Sequence, residues 1–257
     1  MRFSFRKTVH WPTGPEVQQK PVSGGAMLYD TSRAGNADEH WFDREWWAQR
    51  GQVRAAEEGR GGSVFIHADG RRLVLRHYRR GGWMAAVRRD RYRWHDAEST
   101  RSFHEWHLLY LMRRVALPVP VPIAACYRRV GRSYRADLLT EQIPNVSSLA
   151  ACIRAGALPL TDWVAIGRCL RRFHDEGVCH ADLNAHNLLL GEGQEVWLLD
   201  FDRAQLRRPG MWCDTNLVRL RRSLEKISDR LPAEHFSDAD WASMLNAYFA
   251  SAVPAAA

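Results

Sequence analysis

Lysine is nearly absent from this chain. Among 257 residues only Lys7, Lys20 and Lys226 occur, against 34 arginines. No lysine stands between residues 21 and 225, so chemistry there that needs a cation must use another residue type. Cysteine is scarce too. Cys126, Cys152, Cys169, Cys179 and Cys213 are odd in number and form no C-x-x-C pair, which argues against a disulfide framework or a structural zinc site. No apolar run approaches the roughly 18 residues of a membrane-spanning helix. The opening stretch Met1–Lys7 lacks the apolar core of a signal peptide, so a cytoplasmic protein is expected. With 46% hydrophobic and 26% charged residues, the composition excludes disordered and fibrous classes. The length allows one large domain or two small lobes with a real core.

What the chain does have is positive charge, concentrated in one place. Of the net +8, residues 71–101 carry most: ten arginines against Asp90, Asp96 and Glu98. Trp83, Tyr92 and Trp94 interleave with them. Such a segment is either a solvated basic face or a surface for a polyanion: phospholipid headgroups, a phosphorylated glycolipid or nucleic acid. Charge alone does not choose. Eleven tryptophans add aromatic surface whose placement needs a reason.

Residues 1–55 read as an extension without clear periodicity, apart from a short helix around Trp41-Phe42 and Trp46-Trp47. Gly59-Arg-Gly61-Gly62-Ser63 reads as a turn into a strand, Asp69-Gly70 as a hairpin, and Arg72–Tyr78 as the return strand. A helix capped by Ser99 or Thr100 runs to Arg114, with Leu108, Leu109 and Met112 sharing a face with Glu105. A carboxylate facing inward is costly unless a cation meets it; the alternative is a glutamate at the stripe edge, reaching water. Leu117-Pro-Val-Pro-Val-Pro122 must be extended. Ile123–Arg129 and Arg135–Glu141 follow as strands. After Asn145 the pattern turns helical. Thr161 caps a helix striped by Trp163, Ile166, Leu170 and Phe173. Strands Leu188–Leu190 and Val196–Leu199 flank Gly191-Glu-Gly193. Two more helices carry Leu217, Leu220, Leu224 and Ile227, and then Trp241, Leu245 and Tyr248 behind Ser237. The expected class is α+β, with a β-rich lobe over 56–143 and a mainly helical lobe over 144–257.

The densest polar cluster is His180-Ala-Asp182-Leu-Asn-Ala-His186-Asn187, directly before the second hairpin, with Asp200-Phe201-Asp202 directly after it. A hairpin brings its ends together, so Asp182, Asn187 and Asp200 should converge. Two carboxylates and an amide suit Mg²⁺, with a phosphate completing its coordination. A carboxylate beside that metal can take the proton of an attacking hydroxyl. Three readings stay open on the residues alone: turn formers, a metallohydrolase using His180, His186, Asp200 and Asp202 as ligands, or a phosphotransferase.

His180-x-Asp182-x-x-x-x-Asn187 followed by Asp200-Phe201 resembles the catalytic loop and metal-binding motif of the protein kinase superfamily, over about residues 55–205. The resemblance implies a two-lobed kinase-like fold: a small antiparallel sheet with one main helix, then a mainly helical lobe, with ATP and Mg²⁺ bound between them. Asp182 would be the base, Asn187 and Asp200 the Mg²⁺ ligands, and His180 the brace of the loop. Arg76 would stand at the strand-lysine position and pair with Glu105. Gly59, Gly61 and Gly62 would lie over the nucleotide, and Glu141 and Ile143 would offer backbone groups to adenine. Asp202 replaces the motif's glycine and no A-P-E segment follows, which argues against a protein substrate.

At finer grain the chain is similar to the lipopolysaccharide-core kinases. Leu28-Tyr-Asp-Thr-Ser32, Leu73-Val-Leu-Arg-His-Tyr-Arg-Arg-Gly-Gly82, His180–Asn187, Asp200-Phe-Asp-Arg203 and Asn216–Lys226 carry that similarity. It implies phosphorylation of the 4-hydroxyl of 3-deoxy-D-manno-octulosonic acid (Kdo) on a Kdo–lipid A precursor, at the cytoplasmic face of the inner membrane. The basic, Trp-rich segment 71–101 would then meet anionic lipid rather than nucleic acid. Alternatives are a kinase for heptose or a small soluble alcohol, and a catalytically silent ATP- or lipid-binding scaffold.

Overall fold

A computed structural model describes residues 15–35, 37–54, 63–79 and 90–251. These fall into two units, one within residues 15–111 and 120–142, the other within 112–119 and 143–251. The first is built on an antiparallel sheet: β1 (Val17–Val22), β2 (Gly25–Asp30), β3 (Val53–Arg54), β4 (Ser63–Ala68), β5 (Arg71–His77), β6 (Tyr92–Arg93), β7 (Pro122–Val130) and β8 (Ser133–Glu141). The strand order is β1-β2-β7-β8-β5-β4-β3, with β6 beside β8. Asp69 and Gly70 both take left-handed backbone (φ 51° and 72°), as the two-residue hairpin between β4 and β5 requires.

Residues 17–30, expected to lack regular structure, form the hairpin β1–β2 and extend the sheet. Its signal is weak for a physical reason. β1, Val-Gln-Gln-Lys-Pro-Val, is an edge strand that buries no residue fully and tolerates a proline. β2 buries five of its six residues, so no alternation marks it.

Both faces of the sheet are covered. On one, Met27, Ile66, Leu73, Leu75, Ile123 and Leu139 pack with Phe42 and Trp47 from the segment after α1 (Thr31–Ala34) and from α2 (Arg44–Gln49). This packing accounts for the Trp-rich stretch, where Trp47 is buried and its Nε1–H donates to the Trp41 carbonyl at 2.9 Å. On the other face lies α3 (Arg101–Arg114), whose Ser102 hydroxyl donates to the Cys126 carbonyl at 2.8 Å while Phe103 meets the Tyr127 ring at 5.2 Å. Residues 123–127 of β7, enclosed between these layers, are all buried.

Of the three aromatic residues that interleave with the basic segment, two pack within this unit. Tyr92 is buried against Tyr134, with the Arg101 guanidinium 4.4 Å from its ring. Trp94 packs between Tyr127 and Arg129. Trp83, like Gly59, Gly61 and Gly62, lies outside the described residues.

The second unit contains β9 (Ser147–Ser148), α4 (Leu149–Ala155), α5 (Leu160–Asp175), β10 (Val178–Cys179), β11 (Leu188–Leu190), β12 (Val196–Leu198), β13 (Gln205–Leu206), α6 (Trp212–Ser228) and α7 (Asp238–Ala250). β11 pairs antiparallel with β12 and β9, and β10 with β13. Thr161 is not the cap of α5: the helix starts at Leu160 behind Pro159, and no side chain caps it. Pro159 stands at the N-cap with extended backbone, and its carbonyl accepts the Asp162 N–H at 3.0 Å. Ser237 does cap α7, in a reciprocal capping box with Asp240.

Trp163, Ile166, Leu170 and Phe173 of α5 are all buried. Helices α5 and α7 approach so closely at Gly167 that a Cβ there would stand 2.1 Å from the Met244 carbonyl oxygen. Backbone cannot yield as a flexible side chain would. Gly167→Ala is therefore expected to destabilise the protein by about 3 kcal/mol, read from the denaturant midpoint; an unchanged midpoint would show that the helices part freely.

Candidate active site

Strand β5 alternates. Leu73 and Leu75 enter one core, and Arg76 falls on the face that meets α3. There Arg76 Nη2 donates to Glu105 Oε2, and Glu105 is 2% exposed. The Tyr78 hydroxyl donates to the same oxygen at 2.6 Å, and Arg76 Nη2 also reaches that hydroxyl at 3.0 Å. The guanidinium lies 4.6 Å from the centre of the Tyr78 ring. Of the two placements open to Glu105, the inward one is found, and a cation and a phenol meet it there. Burial, and then the Glu105 charge, push the Tyr78 phenol well above its usual range, so it remains a donor.

At the end of β8 the expected adenine contacts are narrowed. The Glu141 N–H donates to the Val121 carbonyl and the Gln142 N–H to the Arg72 carbonyl, both at 2.9 Å. The Glu141 carboxylate pairs with Arg71 at 3.1 Å and Arg33 at 3.6 Å. The sheet runs through Glu141, so its N–H is not offered to a nucleotide. Ile143 follows two residues on, outside any strand.

In the helical unit, β10 leads directly into His180. Its Nδ1 accepts the Asp182 N–H at 3.1 Å, which places the proton on Nε2, and Nε2–H donates to the Leu199 carbonyl at 2.8 Å. One ring thus ties the start of the loop to the residue before Asp200. Burial lowers its pKa, so the ring is neutral. Phe201 is fully buried between the rings of His180 and Phe173.

Across the hairpin, the Leu199 N–H donates to the Asn187 carbonyl at 2.9 Å and Asn187 Nδ2 donates to the Asp182 carbonyl at 3.0 Å. One backbone and one side-chain hydrogen bond thus link the segments carrying Asp182, Asn187 and Asp200. Asp200 takes left-handed backbone, φ 69°, a conformation that aspartate tolerates better than most residues.

Helix α6 holds this loop from one side. Asn216 Oδ1 accepts the His180 N–H at 3.2 Å, and its Nδ2 donates to the His180 carbonyl at 2.9 Å. Arg219 Nη1 stands 3.6 Å from Asp182 Oδ1, and Ser223 Oγ accepts the Ala185 N–H at 3.2 Å. Positions 216, 219 and 223 follow the i, i+3, i+7 rule, while Leu217, Leu220, Leu224 and Ile227 form the buried stripe. Behind Asn216 lies buried His174, which hydrogen-bonds Asn216 and meets the Tyr248 hydroxyl at 2.7 Å.

Tyr78, His174, Asn216, Arg219 and Ser223 are site residues that sequence reasoning did not single out. The signal for the α6 set was present, as polar residues at helical spacing beside an apolar stripe. Tyr78 was legible only as one residue of the family-similar stretch Leu73–Gly82, two positions from Arg76 on the same strand face.

The metallohydrolase reading falls. Both His180 nitrogens are engaged by the backbone, and among the described residues no three His, Cys, Asp or Glu side chains gather as a metal cluster. The donor set does fit Mg²⁺ bound together with phosphate. With Nδ2 occupied, Asn187 keeps Oδ1 for a metal, and that oxygen and the Asp200 carboxylate are both hard donors.

A sheet unit with a buried strand-cation–helix-glutamate pair, and a helical unit with this braced loop, define a protein-kinase-like fold. The solved structure "WaaP in complex with acyl carrier protein" shares that fold, with a TM-score of 0.52 over 77% of this chain and 78% of that one at 18% identity. The model of the lipopolysaccharide kinase (Kdo/WaaP) family matches residues 44–248, and the chain belongs to that family. Among relatives named 3-deoxy-D-manno-octulosonic acid kinase, one from Xylella fastidiosa (strain M12) is 48% identical over 79% of this chain and 81% of its own. One from Xanthomonas campestris pv. campestris (strain B100) is 45% identical over 87% and 89%. One from Haemophilus influenzae (strain ATCC 51907 / DSM 11121 / KW20 / Rd) is 40% identical over 86% and 95%.

Burial lowers the His174 pKa from 6.5 to about 4. A histidine held neutral in the folded state binds fewer protons there than when unfolded, so its stabilisation is complete above pH 6.5 and is lost as pH falls toward 4. Unfolding free energy should drop by about 3 kcal/mol across that window from this residue. Denaturant titrations at several pH values test it: His174→Asn should flatten the acid limb, and an equally steep limb in the variant would contradict the assignment.

Proposed function

We propose that this chain transfers the γ-phosphoryl group of ATP to the 4-hydroxyl of Kdo on a Kdo–lipid A precursor, at the cytoplasmic face of the inner membrane. The observation that carries the reading is the family match, together with Kdo kinases 39–48% identical over most of the chain. The loop geometry supports the roles. Asp182 accepts the proton of the sugar hydroxyl as its oxygen bonds to the γ-phosphorus and the bond to the ADP oxygen breaks. His180 and Asn216 hold the backbone that presents Asp182, so the carboxylate is oriented before substrate arrives. Asn187 and Asp200 would hold Mg²⁺, which supplies charge neutralisation to the phosphates when bound. Arg76, held by Glu105 and Tyr78, is the cation for nucleotide phosphate.

The acceptor is borne by a lipid, so the enzyme works at a membrane surface. No described helix is long and apolar enough to cross a bilayer. Exposed arginines of the basic segment, Arg72, Arg79 and Arg93, support peripheral contact with anionic headgroups.

The test is transfer from γ-labelled ATP with Mg²⁺ to a Kdo-bearing lipid A precursor beside a Kdo-free control. Label is expected only on the Kdo-bearing lipid. Asp182→Asn should lower kcat by about a thousandfold and leave ATP binding unaltered. Label on the Kdo-free lipid, or ATP binding without transfer, would overturn the reading.

A further inference from the structure

Beside Asp182, wholly within the helical unit, lies a cavity of about 860 Å³ lined by Asp182, Asn184 and His186 of the loop and by Arg219, Arg222 and Lys226 of α6. That volume suits a bound sugar. Its charge is lopsided. Arg154 and Arg230 also line it, which makes five cations, while Asp182 and Asp214 are the only acids among the described lining residues. Arg219 faces Asp182 at 3.6 Å, but Arg222 and Lys226 are exposed and make no ion pair or side-chain hydrogen bond among the described residues. Unpaired cations concentrated around the base are not explained by folding. The apolar stripe that anchors α6 lies on another side of the helix, and the loop is already held by Asn216 and Ser223.

We propose that Arg222 and Lys226 are the acceptor-specificity site, binding the carboxylate of the sugar acid while its hydroxyl meets Asp182. The assignment rests on the Kdo-kinase reading and extends it. Residues 219, 222 and 226 fall at i, i+3, i+7, so the row leads away from the Asp182 contact one helical turn, about 5.4 Å, at a time. In the pyranose, the carboxylate and the 4-hydroxyl branch from ring carbons two apart, a separation of that same order. A guanidinium meets a carboxylate bidentately, and the neighbouring ammonium adds a second charge-assisted bond. A neutral core sugar would leave both cations without an anion, which selects for the acidic one.

A chemical double-mutant cycle tests this. Initial rates are measured for the wild type, Arg222→Met, Arg222→Lys and Lys226→Met on the Kdo–lipid A precursor, on its Kdo methyl ester, and on the same lipid stripped of its lipid A phosphates. Arg219 is left intact because it touches the base. Methyl esterification should cut wild-type kcat/KM about tenfold or more. In Arg222→Met that loss should already be present, through the acceptor KM, and esterification should add less than about threefold. The KM for ATP should not move, and Arg222→Lys should recover part of the loss. Lys226→Met carries the same expectation should Arg222→Met fail to fold. An ester penalty equal in wild type and variants overturns the proposal; so does a variant effect that vanishes only with the phosphate-free lipid, which would assign the row to lipid phosphate. Wild-type inactivity on every Kdo-bearing lipid would instead overturn the functional reading on which the proposal rests.

Discussion

The ring of His180 joins two backbone segments far apart in sequence, and the arrangement of Asp182, Asn187 and Asp200 depends on it. One nitrogen accepts from Asp182 and the other donates to Leu199, so the ring works only as the neutral Nε2–H tautomer. Burial enforces that state by making the imidazolium costly. Around it a buried polar chain continues from the Asn216 amide to His174 and the Tyr248 hydroxyl. Networks of this kind are stabilising only when each member is satisfied, which ties the loop's geometry to the packing of α5, α6 and α7.

The sheet unit solves a related problem with a charge. Glu105 is buried and would be expensive alone, yet it receives both Arg76 and the Tyr78 hydroxyl on one oxygen. Arginine and lysine differ at such a place. A guanidinium can address Glu105 and the phenol together while lying against the aromatic ring, whereas an ammonium is a compact point charge. The lysine-poor composition and this local chemistry agree, since the cation that meets Glu105 is one that can make these contacts at once.

Much of this was legible in the sequence, for identifiable reasons. The hairpin bracketed by polar clusters announces the loop, because a tight turn must bring Asp182, Asn187 and Asp200 near one another. Helical periodicity located α3, α5, α6 and α7, while Leu108, Leu109 and Met112 put Glu105 on the apolar side of its helix but left open whether it turned inward or reached water at the stripe edge. The rest depends on tertiary contacts that leave no local pattern. β1 and β2 lack alternation because one is a polar edge and the other is covered on both faces. Tyr92 and Trp94 sit among arginines and look surface-bound, but cross-strand packing turns them toward Tyr127 and Tyr134. Asn216 lies 36 residues from His180, and only the fold brings the two together.

The account stands on His180 acting as a neutral brace, and ¹⁵N NMR of its imidazole tests that directly. At pH 6, below the usual imidazole value of about 6.5, the spectrum should show a protonated Nε2 and an unprotonated, hydrogen-bond-accepting Nδ1. A ring protonated on both nitrogens at that pH, or one carrying its proton on Nδ1, would break the link from Asp182 to Leu199 and contradict the proposed basis of the site.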